Sequence, residues 1–340
     1  MTRTSIKRTL AIGAAVAGVA ITGGCGSRSA AAGGSSPRVA STPTNLTLAQ
    51  FVDGVGAVSP GASAPVWHDR AAVSATDGSA VFSVRNNGSD RLDRLDRRTG
   101  AVVSSWPVSS RLSISAVAPQ GRWVALTNRP AGYRDTSAGG STDIVVFDPG
   151  TGTETHRLVL SGNLRPEAFS VDGTLIFALD YRGDHYRVQT IELASGERYD
   201  TNDRDKVVRP EDMHGSSVRG VMSADRTLLA TLYRNPGDTE EPAFVHVLDL
   251  EHGWSYCADL PRPFGTGPPG SDEIELTPSH TVVVATTRSS QIAEIAIEQV
   301  HTPGDKPVTV EFRRAAIALD RAPFRAITGF GHVIAGLPVL

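Results

Sequence analysis

The sequence predicts an all-β fold, a β-propeller of about six four-stranded blades, from two sets of recurring turns and a near absence of helical pattern. One turn has an acidic residue followed by glycine four positions later, and it recurs at Asp96–Gly100, Asp148–Gly152, Glu192–Gly196 and Asp249–Gly253. A second turn precedes each of these, at Asp77–Gly78, Gln120–Gly121, Asp172–Gly173 and Asp225–Arg226, and Ser279–His280 continues this series at intervals of 43 to 54 residues. Two turns per period imply two hairpins per period, and such a repeat of four short strands is typical of a propeller blade.

The first 24 residues are predicted to be a signal peptide. Three basic residues among the first eight precede an apolar stretch over residues 10–21, which is too short to span a bilayer comfortably. The stretch ends in Thr22–Cys25, which resembles the lipobox of bacterial lipoproteins, although Thr22 stands where that family usually has leucine. The resemblance implies lipidation of Cys25 and anchoring to the cell membrane. The alternative is an ordinary secretory signal cut near residues 30–32, and both interpretations export the protein.

Residues 25–44 are predicted to be a flexible tether, and residues 45–340 the propeller domain. The tether is rich in Gly, Ser, Ala and Pro and has no apolar period. Removal of residues 1–24 takes away three basic and no acidic residues, so the formal net charge changes from -3 to -6. Nucleic acid is not a predicted partner, because binding to a phosphate backbone requires a basic surface stripe.

Five predicted blades follow one another along the chain, over residues 71–108, 114–160, 166–201, 218–261 and 272–313. Their strands are rich in Val, Ile, Thr, Phe and Leu and are bounded by Gly, Pro and Asn. Residues 291–300 would also suit a helix, but their place in the repeat predicts a third strand. Asp90, Asp93 and Asp96 alternate with arginines beside a turn, which predicts a solvated face.

The sixth blade is predicted to be shared between the two ends of the chain. Residues 324–336 match the first hairpin of the other repeats, and residues 46–58 resemble the later strand-turn-strand half of a repeat. Joining them in one sheet would close the ring and leave no open edge between the terminal blades. Seven blades are an alternative if residues 314–322 hold a further strand.

The two ends of the predicted ring differ in their loops. In a four-stranded meander the first and third connections lie at one end of the sheet, and the second connection and the crossover to the next blade lie at the other. The short repeated turns belong to the first end, which we call the turn face. The long loops belong to the other end, the long-loop face, and cover residues 128–142, 180–185, 202–217, 234–243 and 261–271. Since loops vary without disturbing a core, the long-loop face is the predicted interaction surface.

Thirteen residues of these loops are the candidate partner-binding residues. They are Tyr133, Arg134, Asp135, Arg182, Asp184, His185, Arg204, Asp205, Arg209, Glu211, Asp212, His214 and Arg262. Charges of both signs suit a polar ligand or a protein surface. The alternative interpretation is that these residues are solvated and have no partner.

Motifs for catalysis, cofactors and metals are weak throughout the chain. There is no Gly-x-Ser-x-Gly elbow, no His-Glu-x-x-His pair and no phosphate loop ending in Gly-Lys. Residues 265–270 match Gly-x-Gly-x-x-Gly, but their two prolines make a poor start for the helix of a dinucleotide site. The nine histidines are scattered singly, so no cofactor and no metal is predicted. A divalent ion shared between loops near His185 and His214 is an open alternative.

The repeats Ser170–Phe177 and Ile191–Gly196 resemble those of TolB-type, YVTN-type and WD40-like bacterial propellers. The resemblance covers most of residues 45–340 and implies an architecture rather than an activity. Two functions of different class follow as hypotheses. The first is a non-enzymatic, membrane-anchored binding or scaffold protein whose long-loop face holds a protein or cell-envelope component. The second is a propeller enzyme, a lactonase or another hydrolase, with its site at the central channel.

Overall fold

The structure, a computed structural model, consists of β-strands with one short 3₁₀ turn among the residues that it describes. These are residues 46–51, 54–59, 64–86, 90–109, 111–128, 139–203, 212–235, 237–267, 271–286, 291–297, 308–314 and 333–338. Residues 1–45, with the predicted signal peptide, the tether and Cys25, lie outside these ranges. No helix within them is long and apolar enough to cross a membrane.

The first eleven strands form the start of the ring and two complete blades. Three antiparallel strands come first: β1 (Thr47–Phe51), β2 (Gly54–Val58) and β3 (Trp67–Asp69). Blade 1 contains β4 (Ala72–Ser74), β5 (Val81–Asn86), β6 (Asp90–Leu95) and β7 (Val102–Pro107). Blade 2 contains β8 (Ser113–Val117), β9 (Val124–Thr127), β10 (Ser141–Asp148) and β11 (Thr153–Ser161), with the 3₁₀ turn Pro119–Gly121 between β8 and β9.

Blades 3 to 5 repeat this arrangement. Blade 3 contains β12 (Asn163–Phe169), β13 (Leu175–Tyr181), β14 (His185–Glu192) and β15 (Arg198–Asp200). Two short strands, β16 (Asn202–Asp203) and β17 (Met213–His214), lie in the crossover that follows. Blade 4 contains β18 (Ser216–Met222), β19 (Leu228–Arg234), β20 (Ala243–Asp249) and β21 (Trp254–Leu260). Blade 5 contains β22 (Asp272–Leu276), β23 (Thr281–Thr286), β24 (Gln291–Ile297) and β25 (Val308–Arg314), so the predicted strand at residue 291 is confirmed.

The last described strand, β26 (Val333–Pro338), closes the ring. It pairs antiparallel with β1, with Thr47 opposite Pro338, and β2 and β3 complete this closing blade. The predicted propeller and its shared blade are thus confirmed, with six blades in the described part of the chain. The prediction that the N-terminal part of the chain supplies two strands of this blade, from residues 46–58, is wrong, because β3 is a third strand from the same part of the chain. Three residues are too short for alternation to reveal β3 in the sequence.

Apolar side chains fill the space between neighbouring blades. The largest group lies between blades 4 and 5 and includes Leu232, Val245 and Val284, all fully buried. Similar groups lie between the closing blade and blade 1, and between blades 1 and 2, 2 and 3, and 3 and 4. Because a blade is covered on both faces, its second strand is buried almost continuously, as over Leu228–Tyr233. The first strands of blades 1 and 2, of blades 2 and 3, and of blades 4 and 5 contact one another, which places them on the inner side of the ring.

Tryptophans of one blade cover glycine turns of the next. Gly152 has a φ of +73°, and a Cβ at this residue would lie 2.9 Å from Cδ1 of Trp106. Gly173 has a φ of +75°, and its Cβ would lie 2.1 Å from Cη2 of Trp123. These turns require glycine both for their left-handed backbone and for the ring that lies against them. The recurring Thr-Gly and Asp-Gly turns of the sequence are therefore contacts between blades.

Asp93 differs from the solvated face expected for residues 90–98. It lies on β6 and its side chain is only 6% exposed. Arg85 Nε lies 3.1 Å from one carboxylate oxygen, and the Ser105 hydroxyl donates a hydrogen bond to the other. The next residue, Arg94, is exposed. The expectation is wrong for Asp93 because neighbouring blades cover both faces of the sheet, so the consecutive residues Leu92 and Asp93 are both buried.

Candidate functional site

Five of the predicted partner-binding residues lie together at one place on the long-loop face. Arg182 and Asp184 lie in the tight connection between β13 and β14, and His185 is the first residue of β14. Asp212 and His214 lie in the crossover from blade 3 to blade 4, before and within β17. The connection after β13 is therefore a short hairpin rather than a long loop.

Of the other predicted residues only Arg262 is described, and it lies apart from this group. Arg262 lies in the next crossover, between blades 4 and 5, where its Nε donates a hydrogen bond to the carbonyl of Thr239 at 2.6 Å. The remaining predicted residues are outside the described part of the chain: Tyr133, Arg134, Asp135, Arg204, Asp205, Arg209 and Glu211.

Pairing of β17 with β14 brings the two loops together. His185 lies opposite His214, and Tyr186 lies opposite Met213. Met213 is 8% exposed and packs in the apolar group between blades 3 and 4, so it anchors the short strand. Apolar anchoring of Met213 and Tyr186 leaves their neighbours His214 and His185 at the surface, because successive side chains of a strand alternate between its faces.

We call Asp184, His185, Asp212 and His214 the histidine–aspartate cluster. Nδ1 of His185 lies 3.0 Å from Oδ1 of Asp184, and Nε2 of the same ring lies 3.9 Å from Oδ2 of Asp212. Nδ1 of His214 lies 3.2 Å from the carbonyl oxygen of Asp184. The centres of the two imidazole rings are 5.9 Å apart. Each histidine thus contacts a residue of the other loop: His185 of the hairpin lies near Asp212, and His214 of the crossover lies near the carbonyl of Asp184.

Arg187 supports the cluster from β14, although sequence reasoning did not select it. Its Nε donates a hydrogen bond to Asp212, and its Nη1 lies 3.6 Å from Oδ2 of Asp200. The hydrogen bond from Arg187 lowers the pKa of Asp212, and the bond from His185 lowers the pKa of Asp184. Both carboxylates are therefore ionised at neutral pH. The sequence signal that could have identified Arg187 is its position two residues after His185, which places both side chains on the same face of the strand.

The cluster combines fixed geometry with solvent access. The side chain of Asp184 is 89% exposed, and that of Asp212 is 40% exposed. The site therefore offers carboxylate acceptors and imidazole groups to a polar molecule that approaches from solvent. Within the described ranges, no three His, Cys, Asp or Glu side chains are placed to hold a metal ion.

A buried polar group lies between blades 3 and 4 and was not found from the sequence. Glu167 lies on β12, the innermost strand of blade 3, and the Tyr233 hydroxyl donates a hydrogen bond to its Oε1 at 3.0 Å. The Tyr186 ring lies 5.7 Å from the Tyr233 ring and 5.5 Å from the Tyr181 ring. Burial raises the pKa of the Glu167 carboxyl and of the Tyr233 hydroxyl. Nothing in the local sequence distinguishes Glu167 from a surface acid, because its burial arises from the neighbouring blade.

No protein-family model and no curated protein matches the chain. Among solved structures it is similar to TolB from Acinetobacter baumannii, with 17% identity, a TM-score of 0.41 and coverage of 74% of this chain and 60% of that one. It is also similar to a putative 6-phosphogluconolactonase from Bacteroides uniformis, with 16% identity, a TM-score of 0.44 and coverage of 81% and 84%. This chain thus spans less than two thirds of the TolB chain. At such identities the matches concern the fold alone.

Proposed function

We propose that this protein is an exported β-propeller, anchored by a lipidated Cys25, that binds a protein or another cell-envelope component through its long-loop face. The histidine–aspartate cluster is the observation that supports this proposal. Its groups come from two loops, are held by a pair of strands and still face solvent. A binding surface needs such charged and hydrogen-bonding groups on a rigid support.

The acidic residues of the turn face serve a different purpose. Five of them accept hydrogen bonds from backbone N–H groups of their own turns: Asp96, Asp148, Asp172, Asp225 and Asp249. These bonds satisfy turn backbone groups, so the carboxylates stabilise the fold. Asp184 accepts a bond from the adjacent His185 and leaves most of its surface to solvent. The long-loop face is accordingly the better docking surface.

Site-specific photo-crosslinking in cells tests the choice of face. A crosslinking residue is placed at position 184 or 214 on the long-loop face, and at position 98 or 251 on the turn face as controls, all four being exposed. We expect the same partner to be captured from 184 and 214 and not from 98 and 251. Equal capture from both faces would contradict the proposal.

A charge reversal then tests the cluster itself with the captured partner in purified form. Asp184→Lys places a cation where the cluster has an exposed carboxylate, so we expect the affinity to fall by about tenfold or more. Glu251→Lys makes the same change at an exposed position of the turn face. Equal loss of affinity in both variants would show a general charge effect and remove the assignment to the cluster.

The proposed anchor has a separate test. Metabolic labelling with a fatty-acid probe should label the wild-type protein and leave Cys25→Ala unlabelled. Labelling that persists in the variant would show that another residue is acylated. Absence of label from both would support export by an ordinary secretory signal.

A second candidate function, a propeller hydrolase such as a lactonase, is favoured by Glu167. A carboxyl whose pKa is raised by burial can retain its proton and act as a general acid, and Glu167 lies on an innermost strand. Assays of the purified protein with lactones and simple esters test this candidate. Turnover that disappears in Glu167→Gln and persists in Asp184→Asn would support it. An absence of turnover in the wild type would leave the binding function.

A further inference from the structure

The first-hairpin turns of blades 1 to 5 share one hydrogen bond and one position of positive φ, and the type of residue at that position differs between blades. In each turn an N–H group donates to the carbonyl oxygen three residues earlier, from Gly78, Gly121, Gly173, Arg226 and His280. All five residues have positive φ, at 67°, 66°, 75°, 67° and 56° in that order. Blades 1 to 3 therefore place glycine at this position, whereas blades 4 and 5 place residues with large side chains there.

Large side chains at this position disfavour the turn backbone. A Cβ crowds the following carbonyl group when φ is positive, which is why such positions normally take glycine. Arg226 and His280 are nevertheless held in this conformation. Backbone strain of this kind persists where contacts made by the strained residue outweigh it. The contacts of these two side chains are therefore informative.

Arg226 reaches a carboxylate of another blade. Its Nε lies 3.2 Å from Oδ2 of Asp77, whose side chain is 13% exposed. Asp77 lies in the turn of blade 1 and Arg226 in the turn of blade 4. In a ring of six blades these two are opposite one another, so the contact crosses the propeller axis. The backbone N–H of Gln120, from blade 2, also lies near Asp77, at 3.4 Å from Oδ2.

His280 makes a second contact between blades on the same face. Its Nε2 lies 2.8 Å from Oδ2 of Asp225, which joins the turn of blade 5 to that of blade 4. Asp225 is also held by the hydroxyl groups of Ser223 and Thr227 within its own turn. The two strained residues thus connect blades 5 and 4, and blades 4 and 1.

We propose that Asp77 and Arg226 form a clasp across the propeller axis that holds the turn-face end of the ring closed. Asp77 is fixed by its own turn, where Ser79 N donates to its Oδ1 at 3.1 Å, so its carboxylate is positioned before the clasp forms. The side chain of Arg226 is long enough to reach the Asp77 carboxylate, and its guanidinium group is always charged. This inference does not depend on the proposed function of the long-loop face.

Amide hydrogen exchange of the full-length protein tests whether opposite blades are coupled. In Asp77→Asn we expect exchange at residues 223–228 of blade 4 to accelerate by about three- to fivefold, the effect of losing one partly buried ion pair. Asp172→Asn is the matched control, because in the turn of blade 3 Asp172 accepts bonds from the N–H and hydroxyl groups of Thr174, as Asp77 does from those of Ser79. There we expect the acceleration to remain near residue 172. Unchanged exchange at 223–228 in Asp77→Asn, or an equal change in both variants, would overturn the clasp.

A second comparison separates the clasp from backbone strain. Arg226→Gly removes both the strain and the clasp. Arg111→Gly removes strain alone, because Arg111 has the same φ of 67° and its exposed side chain forms no ion pair with any described residue. We expect Arg111→Gly to raise the melting temperature by about 2 °C and Arg226→Gly to leave it unchanged or lower it. An equal rise in both variants would show that the Arg226 side chain contributes nothing.

Discussion

Acid should weaken the contact between blades 3 and 4 through one buried histidine, His246. This residue lies on β20, is 1% exposed and has its ring centre 6.2 Å from that of Tyr233. Burial lowers the pKa of His246 from 6.5 to about 4, because a charged imidazolium would lose its hydration there. The folded protein therefore keeps His246 neutral in a pH range in which the unfolded chain binds a proton.

The sign and size of the effect follow from this difference in pKa. The contribution of the neutral, buried His246 to the free energy of unfolding is complete above pH 6.5 and is lost as pH falls from 6.5 towards 4. A difference of about 2.5 in pKa, at about 1.4 kcal/mol per unit, corresponds to a limit of between about 3 and 4 kcal/mol, of which about 3 kcal/mol is lost by pH 4. In His246→Phe this loss should be absent, since phenylalanine binds no proton. Any constant packing cost of the substitution cancels when one variant is compared with itself at two pH values.

Urea unfolding at several pH values between 7.5 and 4 measures the effect. The wild type should lose about 3 kcal/mol more than His246→Phe over this range. His156→Phe is a suitable control, because His156 lies on the outer strand β11 and its imidazole hydrogen-bonds only to the adjacent Thr155 among the described residues. It should follow the wild type. Identical pH dependence in the wild type and in His246→Phe would refute the reasoning.

Two further predictions concern turn packing and the buried acid. Gly173→Ala should lower the free energy of unfolding by about 3 kcal/mol, because the new Cβ would meet Trp123 in addition to causing backbone strain. Gly183→Ala should lower it by only about 1 kcal/mol, since Gly183 has a φ of +97° and nothing lies within 4 Å of its Cβ. Thermal unfolding of both variants measures the difference. Glu167 has a raised pKa, so its contribution to stability is complete below the pKa of the unfolded chain and is lost as pH rises through the folded value. Glu167→Gln should therefore become more stable relative to the wild type as pH rises, which unfolding at pH 5 and pH 8 would show.

The blade structure was accessible from the sequence because each turn of the repeat has local backbone requirements. Gly152 and Gly173 need positive φ, and Asp172 caps its own turn through bonds to residues within two positions. Such requirements act on neighbours in sequence, so they leave a visible pattern. In the longer strands between the turns, apolar residues either alternate with polar ones or form a continuous run, and both patterns can be recognised in the sequence. The three-residue strand β3 was too short to show such a pattern.

The candidate site was accessible only in part. The long-loop face could be selected because the order of connections in a meander determines which loops share an end. The pairing of β17 with β14 could not be predicted, since two residues give no period and their partners are 29 and 27 residues away in the sequence. Arg187 and Glu167 were missed for a related reason. Their roles depend on side chains supplied by other strands or by the next blade.

From the order of residues alone one obtains the repeat, the number of strands in each blade, the closure of the ring by its two ends and the face that bears the long loops. The structure alone decides which side chains meet: Asp77 with Arg226 and Glu167 with Tyr233 across blades, and His185 with Asp212 between the hairpin of blade 3 and the crossover that follows it. Turns and strands are determined by interactions between near neighbours in sequence. Contacts between blades depend on how sheets that are distant in sequence pack around a common axis.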